Sequence, residues 1–254
     1  MMIPALFLAH GSPMLAIEQT PYTEFLAKLG EQYEPRAIVI FTAHWESETL
    51  TISSTDDVYD TIYDFGGFPD ELYQVKYPAK GSKAIAAMLE QKLTANGIEV
   101  RTDSVRGLDH GSWTLLHRMY PKADIPVIQV SVNPYLAPER QYRIGEAIRG
   151  LGQEGILVIG SGVTVHNLRM LNWGQKTPEP WAVAFDDWLL EKLQSGDLNA
   201  LFQYAEQAPY ARQAVPRAEH FVPLFIAMGS GEGEAQVIHR SYDLGTLSYM
   251  CLQF

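Results

Sequence analysis

Two kinds of hydrophobic pattern alternate along the chain. Ile3–Ala9, Ala37–Ala43, Pro126–Val132 and Gly155–Ile159 are short, dominated by Val, Ile, Leu and Ala, and bounded by turn residues. Such runs, without a regular polar alternation, predict strands covered on both faces. Thr49–Ser53 is a further candidate strand, and Leu244–Phe254 predicts a closing one. Between these runs, apolar residues recur every three or four positions. That spacing predicts helices over Tyr22–Tyr33, Ser82–Asn96, Trp113–Met119, Pro138–Gly150 and Pro180–Gln194, with Leu198–Gln207 and His220–Met228 also helical. Gly97 and Gly196 stand where a left-handed residue ends a helix. Strands separated by helices predict an α/β fold, with a mostly parallel central sheet and helices on both faces. No linker, repeat or composition break divides the sequence, so residues 1–254 read as a single domain.

Composition narrows the function classes. Hydrophobic residues make up 46% and charged residues 19%, enough apolar material for a packed core. The net charge of −11 argues against nucleic acids and anionic membrane surfaces, which select basic patches. No apolar run approaches the roughly 18–20 residues of a membrane span, and the N-terminal segment lacks the basic start of a signal peptide. A cytoplasmic location is the expectation. The only cysteine, Cys251, excludes an internal disulfide and a cysteine zinc cluster.

The histidines carry the chemical signal. His10 and His44 end the first two strong strands, and His166 follows the Gly155–Ile159 strand after a predicted loop, Gly160-Ser161-Gly162. In open α/β sheets, ligands bind beyond the carboxyl ends of the strands, so these three histidines converge on one crevice. His110 precedes a helix, with Ser112 as its predicted N-cap, and His220 opens another. A lone loop histidine is ordinarily a solvated or hydrogen-bonded group. Two at equivalent strand ends make metal binding an even alternative, because imidazole suits borderline metals. His117 and His239 fall within a helix and a strand pattern and are set aside.

Other motifs fail on inspection. Gly160-Ser161-Gly162 is neither a dinucleotide fingerprint nor a nucleophile elbow, and no Walker A or His-Glu-x-x-His sequence occurs. The loop Tyr63-Asp64-Phe65-Gly66-Gly67-Phe68-Pro69 reads either as a packed surface loop or as an aromatic wall over a planar substrate.

Taken together, ALFLAHGSP at 5–13, Ala43-His44-Trp45, IYDFGGFP at 62–69, Tyr77-Pro78-Ala79, LDHGSW at 108–113, SGVTVHNL at 161–168 and EHFVPL at 219–224 resemble the class III extradiol ring-cleaving dioxygenases, most closely the 4,5-DOPA dioxygenase extradiol branch. The resemblance implies one α/β domain, Fe(II) for activity, O2 and a small catecholic substrate. It implies His10, His44 and His220 as metal ligands, and His166 as acid/base residue or as fourth ligand if the protein is isolated with Zn(II). It also implies His110 as a second catalytic histidine. Ser12 is a further substrate-binding candidate, Tyr63, Phe65 and Phe68 suit stacking on a planar ring, and Arg106 and Arg169 are candidates to clamp a substrate carboxylate or, equally, structural ion-pair partners. One departure is Val215, which stands where the branch often has a histidine. Two other readings suit the same residues: a metal-binding interaction protein on this scaffold, and a zinc-dependent hydrolase. Retention of both His110 and His166 beside the metal set favours an enzyme.

Overall fold

A computed structural model describes residues 2–175 and 177–254. Ten strands occur among them: β1 (Leu6–Ala9), β2 (Ala37–Glu46), β3 (Leu50–Ser53), β4 (Val100–Asp103), β5 (Val127–Val132), β6 (Ile156–Gly162), β7 (Gln236–His239), β8 (Tyr242–Asp243), β9 (Leu247–Ser248) and β10 (Cys251–Gln253). The helices are α1 (Pro21–Gly30), α2 (Lys83–Ala95), α3 (His110–Met119), α4 (Pro138–Ala147), α5 (Pro180–Ser195), α6 (Leu198–Phe202), α7 (Tyr204–Gln207), α8 (Ala211–Ala214) and α9 (Val222–Ser230).

Eight strands form one sheet in the order β4-β3-β5-β2-β6-β1-β10-β7. The run β5-β2-β6-β1 is parallel, as is β3-β4, while β3-β5, β1-β10 and β10-β7 are antiparallel. Successive side chains of a strand point to opposite faces. Leu6 and Leu8 of β1 and Ile38 and Ile40 of β2 therefore pack with Leu26 of α1 and Trp113 of α3. Phe7, Val39 and Phe41 pack on the other face with α2, α4, α5 and α9, through Leu89, Ile144, Phe185 and Phe225. Burial on both faces explains why these strands read as apolar runs rather than alternating ones. Helices thus cover both faces, as the pattern predicts, in a single-domain α/β fold. Among the described residues no helix is long and apolar enough to cross a membrane.

The differences from the sequence pattern have local causes. Gly160, Ser161 and Gly162 are the end of β6, not a loop. A Cβ on Gly160 would overlap the carbonyl oxygen of Pro223, and one on Gly162 would overlap that of His220. The glycines therefore serve close approach of the α9 entry to the sheet rather than a turn. We expect Gly162→Ala to push the His220 turn off the sheet and destabilise the protein by about 1–3 kcal/mol, the range for overpacking; urea unfolding of the two proteins measures it. Helix α3 begins at His110 itself, so Asp109 occupies the N-cap position and Ser112 is buried in the first turn. His220 stands in the turn before α9 rather than inside the helix. Leu198–Gln207 divides into α6 and α7. The closing run Leu244–Phe254 is not one strand, because Leu244 (φ 49°) and Gly245 (φ 75°) turn the chain from β8 into β9 before β10 joins β1. Strand β4 is half exposed and polar at Arg101 and Thr102, so it carries no apolar run to find.

Candidate metal centre and active site

The parallel strands bring the histidines together. β6 lies between β1 and β2, with Ser161 level with Leu8 on one side and Thr42 on the other. His10 leaves the end of β1, His44 ends the apolar part of β2, and His220 reaches the same point because its carbonyl accepts from the N–H of Val163, just beyond β6 (2.8 Å). His44 Nε2 lies 3.1 Å from His10 Nε2 and 3.3 Å from His220 Nε2.

What holds the three rings settles their tautomers. Ser161 Oγ donates to the carbonyl of Gly111, so His10 Nδ1 must donate to Ser161 Oγ (2.9 Å). His44 Nδ1 faces Asp64 Oδ2 at 3.3 Å, and His220 Nδ1 faces Glu219 Oε1 at 3.1 Å. A carboxylate oxygen only accepts, so His220 carries its proton on Nδ1, and the Asp64 charge favours the same tautomer in His44. Each ring therefore turns an unprotonated Nε2 toward the other two. Lone pairs facing each other at this range repel unless a cation lies between them, and outer-shell partners on Nδ1 are the usual support of metal-ligating histidines. The separations match neighbouring corners of a site with metal–nitrogen bonds of about 2.0–2.1 Å. The donor set thus fits a divalent metal, and Asp64 and Glu219 add the negative charge that favours one.

Titration points the same way. Burial first, and repulsion among the histidines second, holds His10 and His220 well below the ordinary imidazole range. Burial and the His110 neighbour bring His44 down to about 3, against the opposing charge of Asp64. These rings are neutral at pH 7, the form a metal needs. Burial disfavours the charge on Asp64, but hydrogen bonds from His110 and its charge outweigh that, leaving the carboxyl at about 2.

Two further histidines flank this group. His166 lies flat on His220, ring centroids 3.6 Å apart and planes 13° apart. The close-set ligand group contains His10, His44 and His220; His166 clusters instead with Glu219 and His220. Among the described residues nothing hydrogen-bonds its ring nitrogens. Burial and the His110 neighbour lower it to about 4. His110 lies on the other side, its centroid 3.9 Å from that of His44. Asp64 Oδ1 holds it twice, from the backbone N–H (3.0 Å) and from Nδ1 (2.9 Å). Asp64 therefore fixes both a member of the metal group and a neighbouring histidine. Sequence reading passed over it, and over Ser161, although both stand within motifs it singled out.

The predicted substrate residues separate. Phe65 sets its edge against His110 (5.5 Å). Tyr63 and Phe68 each pack on Phe65, and Tyr63 OH donates to the carbonyl of Val75 (2.7 Å), so the loop is an aromatic cluster with Phe65 at the histidines. Ser12 Oγ accepts from the N–H of Met14 and caps the short 3-10 turn after His10. Arg106 is engaged through one amino group: its Nη2 donates to the carbonyl of His44 (3.1 Å) and to the buried Asp109 (3.3 Å), and its guanidinium lies over Trp45. Through Nη2 it supports β2, while its Nε has no partner among the described residues. Arg169 is exposed and has no ion pair among the described residues.

Comparison with known proteins gives the same answer by a separate route. Residues 4–251 match the profile of the catalytic LigB subunit of aromatic ring-opening dioxygenase. A 4,5-DOPA dioxygenase extradiol from Beta vulgaris is 42% identical over 98% of this chain and 95% of its own length. One of the same name from Escherichia coli K12 is 35% identical over 99% and 94%. A crystal structure of an uncharacterized protein from Escherichia coli K12 superposes with a TM-score of 0.85 at 32% identity, covering 99% of both chains. The match of profile, relatives and structure runs nearly end to end, and the chain belongs to the LigB family of aromatic ring-opening dioxygenases.

Proposed function

We propose that this protein cleaves a catechol ring beside its diol, using Fe(II) held by His10, His44 and His220 and both atoms of O2. The observation that carries the reading is the convergence of three unprotonated Nε2 atoms, each fixed from behind by Ser161, Asp64 or Glu219. His10, His44 and His220 would hold the metal, and Fe(II) bound there would supply a Lewis acid and an electron path between catechol and O2.

The chain's own groups do the rest. Phe65 offers an aromatic edge beside His110 for the planar ring. His166 begins neutral, with ring nitrogens unengaged by any described residue, so it can take a proton from a catechol hydroxyl and return one later. His110, oriented through Nδ1 by Asp64 and packed against His44, would hold a substrate oxygen through its other ring nitrogen. The test is to load the protein with Fe(II) under anaerobic conditions and offer a panel of catechols to an oxygen electrode. Oxygen uptake with yellow ring-opened semialdehydes is expected. Ester turnover with Zn(II) and no oxygen uptake would favour a hydrolase instead.

Arg169, exposed and three residues after His166, is proposed with Arg106 as a clamp for a carboxylated substrate such as DOPA. Arg169→Ala should weaken KM for carboxylated catechols by about 1.5–3 kcal/mol, the range for a hydrogen bond to a charged group, and leave unsubstituted catechol little changed. Equal losses on both would mark the residue as structural.

A further inference from the structure

Stacking on His220 holds the face of the His166 ring but leaves its nitrogens without a partner among the described residues. Its neighbours on the chain hold its backbone. Val163 is tied to the His220 carbonyl, and the N–H of His166 donates to the carbonyl of Ala214 (2.9 Å). Between them Thr164, fully buried, sends its hydroxyl into Asp186 of α5, with Thr164 Oγ1 2.7 Å from Asp186 Oδ1. Asp186 is itself fully buried and accepts at Oδ2 from Tyr242 OH (2.8 Å) and Ser248 Oγ (2.7 Å). Arg240 Nη2 donates to Tyr242 OH, which leaves the tyrosine proton for Asp186. A buried carboxylate is costly unless its oxygens are filled by donors, and here three hydroxyls fill them.

The geometry points to Asp186 as a positioning residue that sets His166 over His220 through Thr164, a role that rests on His166 moving the proton in the proposed reaction. Among the described residues the hydrogen-bond partners of the Asp186 carboxylate are Thr164, Tyr242 and Ser248, none of them a member of the histidine cluster. Its arms are separable. Thr164 is two residues from His166, whereas Tyr242 belongs to the β8–β9 hairpin. A carboxylate kept only for stability would treat its three donors alike; a positioning carboxylate acts on the reaction through the Thr164 arm.

The experiment compares Thr164→Val, Thr164→Ser, Tyr242→Phe and Asp186→Asn in the full-length, metal-loaded protein. Three quantities are read: kcat and KM for catechol, metal content, and the rate at which diethyl pyrocarbonate modifies His166, followed by mass spectrometry. Thr164→Val should lower kcat about 10–100-fold, the scale of a small misplacement of a catalytic group, with KM and metal content near wild type. Its His166 should be modified faster, because the ring is released. Asp186→Asn should behave alike, and Thr164→Ser, which keeps the hydroxyl, should restore both readouts. Tyr242→Phe should alter thermal stability alone. If Asp186→Asn does not fold, the two Thr164 variants and Tyr242→Phe still decide. Wild-type kcat and modification rate in Thr164→Val would overturn the inference, as would equal loss of kcat in Tyr242→Phe. The chemical modification also separates this inference from the dioxygenase reading. If the wild type turned over no catechol while His166 reactivity still followed the Thr164 arm, the positioning would stand and the activity would fall.

Discussion

Replacing His44 by alanine is expected to abolish metal binding at working concentrations and activity with it. His44 is the central member of the group, in reach of both other Nε2 atoms. Loss of an outer-shell partner typically costs 10–100-fold in metal affinity, so loss of the ligand itself should cost more than about 100-fold. The same should hold for His10→Ala and His220→Ala, each of which leaves two imidazoles where three converge. Metal analysis after dialysis, with titration of Fe(II) or Co(II) back into each variant, measures the effect. Full occupancy in His220→Ala would transfer that ligand position to Glu219 or His166, the two groups clustered with it.

Asp64→Asn makes a graded companion. The amide keeps an oxygen for His110 but loses the negative charge that faces His44 Nδ1, so the support of that ligand ring weakens. A loss of about 10–100-fold in metal affinity is expected, short of the loss on removing a ligand.

The second large effect belongs to His166. Phenylalanine keeps a flat ring against His220 and removes both nitrogens. His166→Phe should retain metal and bind catechol, yet turn over about 10²–10⁴-fold more slowly, the range for losing a positioned acid/base group. Single-turnover mixing of the loaded variant with a catechol separates binding from the later rate. A variant with wild-type turnover across the pH range would remove His166 from the reaction and leave His110 as the proton carrier.

Much of this architecture is legible in the chain because burial on both faces writes a simple pattern. Strands β1, β2, β5 and β6 are mainly apolar since helices cover each side, and His10 and His44 stand where two of those runs stop. The parallel sheet then carries His10 and His44 to one edge, and the motif order supplies His220 and His166. What the sequence hides is work done by residues with two ordinary uses. Gly160 and Gly162 look like turn formers, yet they are strand residues that admit the backbone of Pro223 and His220. Ser161 between them looks like loop filler and instead fixes the His10 ring. Asp64 lies among aromatics in a glycine-rich loop, where a carboxylate is normally solvated; only the fold shows it gripping His44 and His110 together. Arg106 has two uses as well. Its place near Asp109-His110 suggests a substrate clamp, and only the fold shows that one amino group of it also ties a buried carboxylate to the His44 carbonyl.

The stoichiometry of oxygen use tests ring cleavage by this protein most directly. Protein loaded anaerobically with Fe(II) is mixed with a limiting catechol in air-saturated buffer, and oxygen consumption is followed beside the absorbance of ring-opened semialdehyde. The predicted result is one O2 consumed for each ring opened, no free peroxide, and loss of both signals in His44→Ala. Oxygen uptake that yields quinone or peroxide without ring opening, or no uptake by the fully iron-loaded protein across the catechol panel, would contradict it.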